Sequence, residues 1–337
     1  MSVKVLVAGC GSIGARHVAN AARNAAVAVV DPDQLRAMEV AAASGAAVFP
    51  DLAAALAWKP DAAIVATPPK FHVGIAGELV AAGVPMLIEK PISLSLDGVD
   101  ALIDAAVTKN VPLYVACNMR FHPGPATLKS ALPNIGKPLF AVAHYGNYLP
   151  AMRPGIDYRT LYAAQRADGG GVIFDSIHEI DYLAWLLGPV GSVSCAAARL
   201  GDLDIDVEDH AVINLAHASG ANSNVQLDFL RRRKSRGCEI IGSEGTLSWL
   251  SDGKAPERCV VERFGSDGQL TLLASDEAYD SNKMYVAMLD AFLDVASGGS
   301  AHGLQTGVEA RAALAAACAA HDSAKDRAAR HDIQGVA

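Results

Sequence analysis

Aromatic residues make up only 6% of this chain and charged residues only 19%. No uninterrupted apolar run approaches the roughly 18 residues of a membrane span, so no membrane partner is expected. Basic residues are in the minority: 28 Lys and Arg against 36 Asp and Glu leave a net charge of −8. That balance speaks against a nucleic-acid surface. Cysteine is sparse, and Cys10, Cys117, Cys195, Cys238, Cys259 and Cys318 are scattered without a C-x-x-C pair, so they read as reduced thiols. H-E-x-x-H is also missing, and no cysteine or second histidine stands at ligand spacing, so no metal site is expected. The first apolar strand begins at Val3 with no charged-then-apolar leader before it, and a soluble, cytoplasmic protein is the expectation.

What the chain does have is aliphatic residue. Hydrophobic side chains account for 51% of 337 residues, enough for a substantial core and two domains. Through the first third, short apolar runs alternate with helix-period stretches. Strands are expected at 3–8, 26–30, 46–49, 62–66, 86–88 and 113–116, with helices between them near 34–43, 52–57, 72–82 and 96–109. Strand–helix alternation of this kind predicts a doubly wound parallel sheet. From Asn118 onward the pattern changes. Pro123, Pro125, Pro133 and Pro138 punctuate a transition, one helix follows Gly169-Gly170-Gly171, and six period-2 segments lie between 192 and 264. The expected fold is therefore α/β: an N-terminal Rossmann domain over 1–118, then an α+β domain over 119–337 with a large, mostly antiparallel sheet.

The sharpest local signal is Gly9-Cys10-Gly11-Ser12-Ile13-Gly14, entered from an apolar strand and leaving into a helix. With a second strand ending at Asp31, it is the dinucleotide-binding βαβ fingerprint. Gly9 permits the tight turn, Gly11 the approach of a pyrophosphate, and Gly14 close packing of helix on strand. The helix N-terminus offers N–H groups to phosphate. Asp31 is placed to accept from the adenosine ribose, and its charge would repel a 2′-phosphate, so NAD is expected ahead of NADP.

Lys90, in Glu89-Lys90-Pro91, follows the strand at 86–88 and so stands at a strand's carboxyl end, where open parallel sheets bind ligands. Its peptide bond to Pro91 is a candidate cis bond. In the helix after the triple glycine, Asp175, His178, Glu179 and Tyr182 fall within one arc, with Ile173, Ile177, Ile180, Ala184 and Leu187 opposite. A histidine beside a carboxylate is a competent general base near neutral pH. A solvated polar face on an amphipathic helix would look the same. Arg120, His122, Tyr158, Arg159 and Tyr162 are candidate substrate-side groups, of a kind that suits a polyol or an acidic sugar. The basic run Arg231-Arg232-Arg233-Lys234-Ser235-Arg236 reads either as a strand exit with solvated or interface-paired charges or as a phosphate site for a nucleotide-sugar.

Taken together, the glycine hexad, Thr67-Pro68 followed by His72, Glu89-Lys90-Pro91, Asn118-Met119-Arg120-Phe121, Gly169–Asp175 and Gly242-Ser243-Glu244-Gly245 resemble the glucose–fructose oxidoreductase/inositol dehydrogenase (Gfo/Idh/MocA) family. The resemblance covers nearly the whole chain. It implies hydride exchange between NAD(P) and the secondary alcohol of a sugar, cyclitol or nucleotide-sugar. It also implies a second domain whose open sheet mediates homodimer or homotetramer contacts. By motif position it makes Lys90 and His178 catalytic, with Asp175 upstream. It places Gly9, Gly11, Ser12, Ile13, Gly14, Asp31, Thr67, Pro68, His72, Glu89 and Lys90 around the cofactor. Many members space the upstream acid four residues before the histidine, where this chain has three. The stretch 175–182, with Asp157-Tyr158-Arg159 upstream, resembles members associated with bacterial surface-sugar biosynthesis. Other relatives keep NAD bound and use transient oxidation for epimerisation, elimination or hydrolysis; a non-catalytic cofactor-bound sensor is a further alternative.

Overall fold

The computed structural model describes residues 3–253, 256–333 and 335. Two compact units emerge: the chain up to Asn118 together with Asn282–Arg311, and Met119–Ser281 together with the chain from Ala312. The second domain expected over 119–337 is therefore not continuous, because residues 282–311 return to the first unit.

In the first unit, strands β1 (Lys4–Ala8), β2 (Ala26–Val30), β3 (Ala47–Phe49), β4 (Ala62–Val65), β5 (Met86–Ile88) and β6 (Leu113–Val115) are joined through helices α1 (Ser12–Ala21), α2 (Gln34–Ser44), α3 (Leu52–Ala57), α4 (His72–Ala82) and α5 (Val99–Thr108). The strand order is β6-β5-β4-β1-β2-β3 with every pair parallel, and Gln305–Thr306 adds an antiparallel edge beside β6. Each expected strand falls within a residue or so of its place. The reason is burial on both faces: Val5, Leu6, Val7, Ile64, Val65, Leu87 and Ile88 are all 0% exposed. Each such side chain contributes about 1.5–3 kcal/mol. Asp33 and Asp51 cap α2 and α3 by accepting from Arg36 N and Ala54 N.

The second unit opens with α6 (Pro123–Ala131) and β7 (Pro138–Gly146). After several 3₁₀ turns come α7 (Val172–Asp175), α8 (Ile177–Leu187), β8 (Val190–Ala198), β9 (His210–His217), β10 (Asn222–Asp228), β11 (Ser235–Gly242), β12 (Gly245–Asp252), β13 (Glu257–Gly265) and β14 (Leu270–Tyr279). Then follow α9 (Asn282–Ala296), which belongs to the first unit, and α10 (Gly307–Lys325). The sheet runs β14-β13-β12-β11-β7-β10-β9-β8, with His331–Asp332 beyond β8, and β7–β10 is its one parallel strand pair. It is the mostly antiparallel sheet that was expected, but β7 and β14 are additional to the six anticipated segments. One face is core, carrying Ala141, Ala143, Ile213, Leu227, Cys238, Ile240 and Trp249. The opposite face carries the cross-strand row Phe140, Ile241, Thr246, Phe264 and Leu270. Phe140 is 45% exposed and Phe264 51%.

The helix expected after the triple glycine is in fact two. Ser176 adopts φ −103°, ψ 29°, which ends α7 at Asp175 and restarts the chain as α8. Asp175 and His178 therefore do not share a continuous helix face.

Candidate active site

In the first unit the glycine hexad shows three different uses of glycine. Gly9 has φ +100°, and a Cβ there would lie 2.6 Å from the Ala66 carbonyl oxygen. A Cβ on Gly14 would lie 1.9 Å from the Gly9 carbonyl oxygen, so α1 can seat against the turn only without one. A Cβ on Gly11 would meet nothing within 4 Å. The Gly11 position thus faces open space at the N-terminus of α1, where no side chain caps the helix. This fits a dinucleotide pyrophosphate, which would find bare N–H groups and the positive end of the helix dipole. Ser12 is exposed and Ile13 half-buried at the same helix start.

Asp31 ends β2 and is 4% exposed; it accepts from Cys10 N at 2.7 Å and Asp33 N at 2.8 Å. Arg36 stands 3.9 Å away and is half-exposed. Burial, then the Asp31 charge, pushes the Cys10 thiol up to about 11, so the loop carries no thiolate at neutral pH. Thr67 Oγ1 is buried without a hydrogen-bond partner, and Pro68 is exposed. His72 was expected to touch the cofactor. It is instead 0% exposed, with Nδ1 2.9 Å from Pro91 O and Nε2 2.8 Å from Thr67 O. Burial pushes its pKa down while the two carbonyl contacts act the other way, and a neutral ring donates to one of the two carbonyls at a time. The Lys90–Pro91 bond is cis. Glu89 Oε1 lies 2.7 Å from His17 Nε2, and Oε2 accepts from Lys90 N at 3.2 Å.

In the second unit the triple glycine is a packing device. A Cβ on Gly170 would lie 2.4 Å from the Tyr162 carbonyl oxygen, and one on Gly171, at φ +104°, would lie 2.3 Å from Glu208 Oε1. That Glu208 oxygen accepts from Ile173 N, which ties down the start of α7. Asp175 at its end accepts from the Tyr162 hydroxyl. Burial pushes the Tyr145 phenol up to about 12; the Asp175 charge acts on it as well, and Asn147 bonds it. Asn147, 8% exposed, keeps Oδ1 buried without a hydrogen-bond partner. Tyr162, Asp175, Tyr145 and Asn147 thus form one polar cluster. His178, 8% exposed, lies in the first turn of α8.

The rest of the expected polar arc turns inward. Glu179 is 0% exposed and holds Arg236 through contacts of 2.6 and 3.1 Å, with the guanidinium 4.2 Å from the Tyr145 ring. Tyr182 is 0% exposed and packs edge-on against Trp249 at 5.9 Å. Two candidate substrate groups are braces instead. Arg120 is 4% exposed and grips Asp181 by contacts of 2.6, 3.1 and 3.2 Å. His122, 1% exposed, caps α6 by accepting from Gly124 N at Nδ1, so Nε2–H donates to Glu257 at 3.0 Å. Burial would raise the Glu257 carboxyl, but His122 and Lys234 outweigh it and hold it at about 2. Arg159 is 56% exposed and lies 2.6 Å from Asp157 and 3.6 Å from Asp204. The Tyr158 hydroxyl accepts from Asp204 N.

The basic run is dispersed. Arg231 meets Asp228, Arg232 stacks on Tyr148, Arg233 meets Asp252, Lys234 meets Glu257 and Arg236 meets Glu179. Four of the five cations thus meet a carboxylate of the same chain, and Arg232 meets an aromatic ring. Among the described residues no cluster of three or more metal-ligating side chains forms. The sequence offered no view of Tyr145 and Asn147, because β7 itself was unread behind the prolines. Glu179 and Arg236 were visible singly but not as a pair, since 57 residues separate them.

A parallel-sheet unit with an open glycine loop, followed by a large antiparallel sheet bearing a polar cluster, defines a dinucleotide-binding oxidoreductase. Comparison with known proteins agrees. Residues 3–117 match the oxidoreductase family model GFO_IDH_MocA, NAD-binding Rossmann fold, and residues 132–248 match the GFO/IDH/MocA C-terminal domain. Inositol 2-dehydrogenase 1 of Saccharopolyspora erythraea is 30% identical over 328 residues, covering 90% of this chain and 88% of the relative. Myo-inositol dehydrogenase Hyg17 of Streptomyces leeuwenhoekii is 28% identical over 323 residues, covering 88% and 89%. An oxidoreductase from Agrobacterium radiobacter, solved in complex with NAD+, L-tartaric acid and magnesium, superposes with a TM-score of 0.82 at 23% identity, over 99% of each chain. The chain belongs to the GFO/IDH/MocA oxidoreductase family.

Proposed function

We propose that this protein is an NAD-dependent dehydrogenase acting on a secondary alcohol of an uncharged polyol, a cyclitol or a sugar. The observation that carries the choice of an uncharged substrate is charge pairing in the second unit. Three arginines of the second unit, Arg120, Arg159 and Arg236, each face a carboxylate, Asp181, Asp157 and Glu179, while Arg166 and Arg199 donate to the backbone carbonyls of Asp206 and Ile205. A uronate or a nucleotide diphosphate calls for cations to spare. The Tyr162–Asp175–Tyr145–Asn147 cluster instead offers two phenols, an amide and one carboxylate, and hydroxyl groups can both donate to and accept from such a set, whereas its negative charge does not favour an anionic substrate. That relatives named inositol dehydrogenases match most of this chain supports the cyclitol side of this reading.

Gly9, Gly11, Ser12, Ile13 and Gly14 would hold the pyrophosphate, and Asp31 the adenosine ribose. Thr67, Pro68, Glu89 and Lys90 would lie along the nicotinamide half. Bound NAD supplies the hydride acceptor. His178 takes the hydroxyl proton, with Lys90 orienting the alcohol, and Asp175 polarises the site through its hydrogen bond with Tyr162. Asp181, clamped by Arg120, fixes the helix turn that carries His178. The carboxylate of Asp31 favours NAD over NADP. A homo-oligomer built on the exposed sheet row, in the cytoplasm, completes the reading. Following NADH formation across neutral cyclitols and sugars, uronates and nucleotide-sugars tests it. Oxidation of a neutral polyol with net release of NADH supports the proposal; turnover confined to charged substrates, or conversion without net NADH, overturns it.

A further inference from the structure

The first unit contains a polar network whose purpose the roles above leave open, centred on His17. This residue stands on α1 three positions after Gly14 and is 0% exposed. Its Nε2 lies 2.7 Å from Glu89 Oε1, while Glu89 Oε2 accepts from the backbone N–H of Lys90 at 3.2 Å. One carboxylate thereby links the glycine-loop helix to the residue at the end of β5. The ring of Tyr285, from α9, meets His17 edge-on at 6.2 Å and carries the Arg16 guanidinium 4.5 Å from its centroid. The Tyr285 phenol is pushed up by burial first and by the Glu89 charge, and eased down by Arg16, by Lys90 and by a hydrogen bond with Asn118. Its hydroxyl therefore senses residues 89 and 90 together.

As a stability device this arrangement is poor. His17 Nδ1 is buried with no hydrogen-bond partner, and a buried bare polar atom costs free energy. A buried histidine–carboxylate contact gains little over well-packed apolar side chains of the same volume. What it does supply is direction, because it fixes the Glu89 carboxylate that in turn fixes the Lys90 backbone. We propose that His17 is a positioning residue for Lys90, acting through the Glu89 carboxylate. The inference rests on the reading that Lys90 serves the reaction.

The test reads the Lys90 amine directly, so it does not depend on which polyol is oxidised. The rate of Lys90 acetylation by acetic anhydride is followed by mass spectrometry, with exposed Lys59 as internal reference. Wild type, His17→Leu, His17→Gln and Glu89→Gln are compared, each checked by its melting temperature and by calorimetric titration with NAD+. Loss of the link should change the relative rate at Lys90 by about tenfold in His17→Leu and Glu89→Gln, a modest share of a general acid–base contribution. His17→Gln, whose amide N–H can still donate to Glu89, should restore most of it. A folded His17→Leu or Glu89→Gln protein with wild-type labelling at Lys90 overturns the inference; so does a His17→Gln protein that behaves as His17→Leu does. If His17→Leu fails to fold, Glu89→Gln and His17→Gln decide between the outcomes. Lys90→Met separates this inference from the reading beneath it: full polyol oxidation by that variant removes the role of Lys90 and leaves the labelling result standing.

Discussion

Each carboxylate oxygen of Asp31 already accepts one backbone N–H, from Cys10 and from Asp33, and both retain a further lone pair. That anchoring fixes the charge at the end of β2, which on the proposed cofactor placement faces the adenosine ribose. Wild type should bind NAD+ more tightly than NADP+ in fluorescence titrations, and Asp31→Ser should narrow or reverse the ratio, helped by half-exposed Arg36 at 3.9 Å. Equal wild-type affinities would count against the assignment. At His178 the expectation concerns chemistry and not folding. His178→Ala should keep its affinity for NAD+ and lose about 10²- to 10⁴-fold in kcat, the usual range for a general base. Near-normal turnover in that variant would make buried His178 a structural residue of α8.

Buried ion pairs fix the elements of the second unit. Arg120 and Asp181 are 3% and 2% exposed, so removing one partner strands the other charge. Arg120→Met should therefore cost about 3–5 kcal/mol of stability in denaturant titrations. Double replacement of the pair by apolar residues should recover much of that loss. Glu257 joins α6 to the start of β13 through His122 and Lys234, and its folded pKa is about 2 against an ordinary 4.5. A depressed carboxyl pKa contributes stability that is present above the unfolded value. That contribution is lost as pH falls from about 4.5 towards 2, and it amounts to roughly 3 kcal/mol at full ionisation. Glu257→Gln should lower the melting temperature at neutral pH and flatten its decline across that acid window. An unchanged acid slope would show that Glu257 does not carry it.

What could be read from the sequence follows burial. Strands β1, β4 and β5 are buried almost throughout and all six strands appear as short apolar runs, so each was legible even where, as in β3, the side chains stay partly exposed. The glycine hexad was equally legible, because Gly9 and Gly14 answer to clashes with Ala66 and Gly9 that are local to the turn. Strand β7 alternates exposed and buried residues behind a proline-rich stretch, and β14 presents mostly exposed side chains, so neither announced itself. The break at Ser176 leaves no trace in helix periodicity, since Asp175 and Ile177 both suit a helix. Arg120 and His122 looked like free polar groups because their partners, Asp181 and Glu257, lie 61 and 135 residues away.

At the scale of the whole molecule, the cross-strand row Phe140, Ile241, Thr246, Phe264 and Leu270 is mostly apolar, and Phe140, Phe264 and Leu270 in it are exposed. Contiguous apolar surface of this kind commonly marks an association site. Light scattering at micromolar concentration should give a dimer or tetramer, and Phe264→Asp should shift it towards monomer. A wild-type monomer would contradict the oligomer proposal and leave the chemistry untouched. The most direct test of the central claim is NADH formation by purified wild-type protein across a panel of neutral cyclitols and sugars, with uronates and nucleotide-sugars alongside. The account predicts NAD+ reduction by at least one neutral polyol and little or none by the charged substrates. A protein that binds NAD+ yet reduces it only with uronates or nucleotide-sugars, or with nothing in the panel, would contradict it.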